Sequence, residues 1–207
     1  EAGSDLVVRG KSSKEPEKTS ALVWFLDTLR KSCGPNAGSW GCLKPTQLAW
    51  LERKLEEEIT EHGPLKGLAF MHIPPPEFVP VFSKFPTSGN KNQTVSCPTF
   101  NNNMVDLMTK SKHFLALFCG HDHNNDFAGN WNGIDLVYGR KTGYGGYGPI
   151  GLRGGRVIEL KEKNEGDLEY ASWVIDEELK IWPDVDRAIQ LDRTNQTQCA
   201  VNAKKDI

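Results

Sequence analysis

Three histidines fall where an α/β chain builds ligand sites. His72 closes the apolar run at 67–72 (GLAFMH). His121 and His123 follow the apolar run at 114–119 (FLALFC), within Gly120-His121-Asp122-His123. Sites in α/β sheets form beyond the carboxyl ends of the strands, and neutral imidazole is the commonest ligand of first-row metals. An HxH pair at one strand end and a third histidine at another therefore points to metal binding. Taken singly, each imidazole reads rather as a hydrogen-bonded loop residue. Gly120 allows a sharp turn that aims both histidines from the loop. A mononuclear zinc site of three histidines and a water is a weaker alternative, since such sites usually use a tighter local motif.

Other side chains are weighed around this set. Glu77 lies five residues beyond His72 and either orients an imidazole or is a solvated loop glutamate. Asp122 is placed to hydrogen-bond within the turn, and Asn125 and Asp126 to order the loop beyond it. Tyr144 and Tyr147 lie in a glycine-rich GYGGYG run. No Gly-Lys-Ser/Thr follows, so this is not a phosphate-binding P-loop; Tyr144 is a candidate pocket residue. Trp131, soon after the histidine loop, is a candidate pocket wall. His62 and His113 read as structural.

The elements that must position these groups follow from periodicity. Residues 22–27, 67–72 and 114–119 are short apolar runs bounded by turns, as in strands buried on both faces. Between the first two, a helix is expected from an N-cap at Thr46 to Gly63-Pro64. Its core stripe is Leu48, Leu51, Leu55 and Ile59, with Glu52, Arg53, Glu56, Glu57 and Glu58 on the solvated side. Residues 78–99 read as a long polar loop, and 101–110 as a short helix with Met104, Val105, Leu107 and Met108 inward. Strands at 134–138, 156–160 and 169–174 finish the sheet system. Residues 1–21 are expected as an exposed lead-in and 183–207 as a loosely packed polar tail. The class is α/β with parallel pairing at its centre.

The chain has 207 residues, with 25 basic against 27 acidic side chains. That balance excludes the basic excess of a nucleic-acid-binding domain. No run approaches the roughly 18 apolar residues of a membrane span, and residues 1–20 contain no signal-peptide core. Cys33 and Cys42 bracket a Gly/Pro/Asn/Ser-rich loop and are expected to pair. Cys119 reads as a buried thiol, and five cysteines leave at least one unpaired within the chain. Asn-Gln-Thr sequons begin at Asn92 and Asn195. Together these features point to the secretory pathway or the extracellular space, with any signal peptide outside the sequence in hand.

The segment 120–127 (GHDHNNDF), after an apolar strand, resembles the GHxH motif of calcineurin-like metallophosphoesterases. Residues 72–78 (HIPPPEF) resemble their upstream single-histidine motif. FLDT at 25–28, KPTQLAWL at 44–51 and GRKTGYGGYGP at 139–149 are similar to the single-domain purple-acid-phosphatase-like proteins of plants and fungi, over residues 4–182. The resemblance implies a β-sandwich flanked by helices and a centre of two metal ions, iron with zinc, manganese or a second iron. It implies that His72 and His121 bind one ion and His123 the other, and that the activity is hydrolysis of a phosphate ester. The family's Asp-x-His, Gly-Asp and Asn-His motifs are missing; Gly166-Asp167 lies far downstream. The chain thus resembles the C-terminal half of the fold over residues 22–182. The implied partner is an N-terminal half, upstream or separate, that supplies the Asp and Asn ligands. Alone, the chain is expected to be inactive and to hold no stable dinuclear site. The alternative is an inactive scaffold or interaction subunit that reuses the fold.

Overall fold

The computed structural model describes residues 5–34, 39–148, 153–164, 167–184 and 196–200. In order the elements are β1 (Leu6–Lys11), β2 (Thr19–Leu26), α1 (Pro45–His62), β3 (Lys66–Met71), α2 (Phe78–Lys84), β4 (Thr87–Ser88), α3 (Met104–Ser111), β5 (Phe114–Cys119), β6 (Ala128–Trp131), β7 (Ile134–Tyr138), β8 (Gly154–Asn164), β9 (Asp167–Asp176) and β10 (Ile181–Pro183). The larger sheet runs β1-β2-β3-β5-β7-β6-β4 and the smaller β10-β9-β8. Strands β2, β3, β5 and β7 are mutually parallel. The outer pairs β1/β2, β6/β7 and β4/β6 are antiparallel. This mixed α/β architecture, a large sheet flanked by helices, is the class the sequence implies.

Alternation along the central strands builds two different faces. Leu22, Trp24, Ala69 and Leu117 join the helices in the main core. Leu68, Ala116, Phe118 and Val137 face the smaller sheet, where Ile158 and Tyr170 pack on them. On that second face, register aligns Leu6, Phe25, Phe70 and Phe118 across four strands. The phenylalanines form a stacked ladder, with ring centroids 5.4 Å and 5.1 Å apart. Its Phe118 end meets Tyr170. Its other end is uncovered: Phe25 is 42% exposed, Val8 45% and Leu6 53%.

The structure corrects several expectations. The lead-in at 1–21 contains β1 and the start of β2. β1 is an edge strand with little buried surface, so its apolar signal is weak. The loop expected at 78–99 opens with α2, which buries Phe78, Val79, Val81 and Phe82. Pro80 is tolerated because it occupies the first turn, where an amide has no intrahelical partner. α1 starts one residue before Thr46, with Pro45 in the first turn. The Gln47 side chain accepts from the Lys44 amide at 2.8 Å. Glu58, expected on the solvated side, is fully buried and accepts from Arg9 Nε and Nη2 at 2.8 and 2.6 Å. α3 begins at Met104 rather than 101, after a left-handed Asn103.

Two disulfides are present. Cys33 is joined to Cys42, and Cys97 to Cys199; Cys119 is free and buried. The second bridge corrects the loose tail. Residues 196–200 are fastened to 95–97 by the disulfide and by Ala200 N donating to the Val95 carbonyl at 2.9 Å. The Gln196 side chain also accepts from Val95 N. No helix among the described residues is long and apolar enough to cross a membrane.

Candidate functional site

Adjacent parallel strands β3 and β5 end side by side, and Gly120 N donates to the His72 carbonyl at 3.0 Å. This places His72 next to His121. His72 Nε2 and His121 Nδ1 are 3.3 Å apart, with the rings nearly perpendicular. The turn that aims them differs from expectation. The left-handed residue is His121 itself, at φ 72°, and Asp122 N donates to the Gly120 carbonyl at 2.8 Å. That i→i+2 bond about a positive φ is a γ-turn, a strained conformation for a residue with a side chain.

His123 is held instead by the glycine-rich loop. Its Nδ1 lies 2.6 Å from the Tyr147 carbonyl. A carbonyl only accepts, so Nδ1 donates here and Nε2 is the nitrogen left for another partner. The Tyr147 ring stacks on the imidazole, centroids 4.1 Å apart and planes within 13°. Trp40, at the end of the Cys33–Cys42 loop, meets His121 edge-on at 4.3 Å. Desolvation lowers the His72 pKa, with a further contribution from His123. Burial, then the other two imidazoles, lowers that of His121 to about 4. Neutral rings with available lone pairs are the form that binds metal.

The remaining candidates sort by geometry. Asp122 turns away from the histidines into the protein. It accepts from Gln93 Nε2 at 2.9 Å, Ser96 N at 2.9 Å and the Tyr138 hydroxyl at 2.6 Å. Burial raises its pKa against the pull of those bonds. Asn125 Oδ1 accepts from the amides of Asn92 and Gln93, each at 3.1 Å. Asp126 accepts from Asn90 N at 2.6 Å and pairs with Arg140. These three thus clamp the histidine loop to residues 90–96. Glu77 accepts from Asn101 at 2.6 Å, anchoring the turn before α3, and burial raises its pKa. Trp131 packs on Phe85, on the β6 side of the sheet. The Tyr144 hydroxyl donates to Glu177. Asn92 is exposed; Asn195 lies outside the described residues. His113 is structural, with its Nδ1 2.5 Å from the Leu65 carbonyl and its Nε2 accepting from Trp24 at 3.0 Å.

The structure adds Trp40, Tyr147 and Gln93 to the surroundings of the histidines. Only the glycine-rich run around Tyr147 carried a sequence signal for this. Among the described residues, no group of three or more histidine, cysteine, aspartate or glutamate side chains is arranged to hold an ion. The fit is therefore partial. A tetrahedral ion with metal–nitrogen bonds of about 2.0 Å sets two imidazole nitrogens about 3.3 Å apart. The His72–His121 pair has that spacing, and no acidic group among the described residues completes it.

No protein-family model matches the chain. It is 30% identical over 194 residues to probable inactive purple acid phosphatase 29 of Arabidopsis thaliana, covering 88% of this chain and 49% of that protein. It is 31% identical over 139 residues to probable inactive purple acid phosphatase 14 of the same plant, covering 66% and 34%. It is 27% identical over 175 residues to phosphatase DCR2 of Saccharomyces cerevisiae, covering 78% and 29%. The chain spans about half or less of the length of these relatives. A crystal structure of a dimetal phosphatase from Danio rerio aligns with a TM-score of 0.33 at 21% identity, covering 49% of this chain and 28% of that one. That likeness is too faint to bear on function. The relatedness along 88% of the sequence is not faint: the chain belongs to the calcineurin-like metallophosphoesterase superfamily, alongside the purple acid phosphatase-like proteins.

Proposed function

We propose that this chain carries the histidine side of a dinuclear metal centre that hydrolyses a phosphate ester. The observation that carries the reading is the 3.3 Å approach of His72 Nε2 and His121 Nδ1 at neighbouring strand ends. His72 and His121 would hold one ion, and His123, through its free Nε2, the other. Bound metals would polarise the phosphate and lower the pKa of an attacking water. Iron paired with zinc, manganese or a second iron is the proposed content. Three imidazoles bring no negative charge to balance two cations, so carboxylates are required from elsewhere. The proposed source is a segment with the Asp-x-His, Gly-Asp and Asn-His motifs, upstream or on a separate chain. The uncovered end of the phenylalanine ladder supports this, because an apolar face of that kind calls for a covering layer.

Metal analysis of the purified assembly tests the reading. About two ions per site and loss of both metal and phosphatase activity in His121→Ala are expected. Activity that survives His121→Ala rejects the site. A second reading, an inactive scaffold, is favoured by the lack of a described acidic group beside the histidines and by relatives named inactive. An assembly free of stoichiometric metal would support it. An oxidising compartment is proposed from the two disulfides, with Asn92 as an accessible glycan acceptor. A thiol count and the mass of the native protein check this.

A further inference from the structure

Helices α1 and α3 both rest on the main core, on the sheet face opposite the smaller sheet. A groove of about 650 Å³ lies between them. Its floor is apolar: Leu48, Leu55 and Ile59 of α1, and Leu107 of α3. The same side chains pack inward on the core, so the floor is held in place. Leu48, Ile59 and Leu107 nevertheless stay half-buried. Past Leu48, Asn102 and Asn103 the groove continues into a second hollow of about 510 Å³, lined by Leu43 and Phe100. Phe100 is 42% exposed. From Pro45 to Thr60 the two hollows follow α1 for about 22 Å, the length of a helix of about four turns.

The rim is acidic. Glu52 and Glu56 stand on one wall and Asp106 on the other, all exposed, with Lys110 as the cation of the α3 wall. The cations within α1 are engaged away from the groove. Arg53 pairs with Glu57 at 2.7 Å, and Lys54 with Glu57 and Glu58 at 3.2 and 3.0 Å. Among the described residues, no cation lies within ion-pair distance of Glu52, Glu56 or Asp106. Like charges four residues apart, as at Glu52 and Glu56, disfavour an isolated helix. Scattered exposed apolar side chains are ordinary; a continuous apolar strip edged by uncompensated carboxylates is the complement of a cationic amphipathic helix. A second copy of this face would set like charges against each other, which argues for a different partner.

We propose that the groove between α1 and α3 is a docking site for a basic amphipathic helix of a partner protein. Its apolar residues, spaced at i, i+3, i+4 and i+7, would fill the strip between Leu48 and Leu107. Lysines or arginines along its edges would meet Glu52, Glu56 and Asp106. None of His72, His121 and His123 lines the groove, so the proposal stands apart from the phosphoesterase reading.

The test is fluorescence anisotropy of the 207-residue chain with a labelled leucine–lysine peptide of about five helical turns, patterned to give one apolar face. Two controls have the same length: one of the same composition in scrambled order, and one with glutamate in place of lysine. The patterned basic peptide should bind with a Kd of about 10 μM or tighter, and both controls about tenfold more weakly or worse. Glu52→Lys combined with Glu56→Lys should weaken binding about tenfold. Glu61→Lys, the same change on α1 outside the groove, should shift it less than about twofold. Asp106→Lys on the other wall repeats the test if melting shows that the double variant has lost its fold. Bound peptide should slow hydrogen exchange in α1 and α3. No binding at about 100 μM, equal binding of either control peptide, or unchanged affinity in the charge-reversal variants overturns the proposal. So does a concentration-dependent dimer in sedimentation that Leu107→Lys abolishes, which would assign the groove to a second copy.

Discussion

Burial decides what each histidine can do. His113 sits among Trp24 and Phe114 with both ring nitrogens engaged, and burial lowers its pKa to about 4. An unfolded chain takes up a proton on this ring near the ordinary value of 6.5, while the folded chain refuses it until about pH 4. The stabilisation is therefore full above pH 6.5 and is lost as pH falls toward 4, at a cost of about 3 kcal/mol. Urea unfolding of the wild type between pH 7 and pH 4 should show that loss. His113→Gln, less stable at neutral pH, should lack this share of the slope. Equal slopes would refute the assignment. The strand-end placement of His72, His121 and His123 was legible in the sequence because each closes or follows an apolar run. Their aromatic neighbours were not, because Trp40 and Tyr147 come from loops over a hundred residues apart and only tertiary structure brings them together.

At the scale of elements, continuous apolar runs revealed β2, β3 and β5, since parallel strands covered on both faces have little polar alternation. β1 was hidden by its exposed face, and α2 by the three prolines that precede it. Periodicity located the buried stripe of α1 but not the role of Glu58, because a carboxylate is read as solvated unless its cation is known. That cation is Arg9 on β1, with Lys54 adding a contact at 3.0 Å. Burial pushes the Glu58 carboxyl up, and the bonds from Arg9 and Lys54 outweigh it, so its pKa lies below the usual carboxylate value. The pair fastens the edge strand to the helix. Glu58→Gln should cost about 2 kcal/mol in urea unfolding at pH 7 and speed hydrogen exchange in β1 ahead of β3 and β5. Unchanged exchange in β1 would show that the pair does not hold the strand.

For the whole molecule, the Cys97–Cys199 bridge matters most. It spans 102 residues, and loops of that size contribute about 5 kcal/mol through the constraint on the unfolded chain, on a chain-entropy view. Cys199→Ser should lower the melting temperature markedly more than Cys42→Ser, whose bridge spans 9 residues. The native protein should titrate one thiol under denaturing, non-reducing conditions, that of Cys119. Five thiols would argue against both bridges and against the proposed compartment. The bridge also has a consequence in time. Residues 95–97 join the loop that holds Asp122, and the Ala200 carbonyl accepts from Trp40 Nε1 at 2.9 Å. Neither the bridge to Cys97 nor the bond to Trp40 can form until residues 199 and 200 have been synthesised. A nascent chain stopped short of them would carry His72, His121 and His123 and still lack the ties that fasten residue 97 and Trp40.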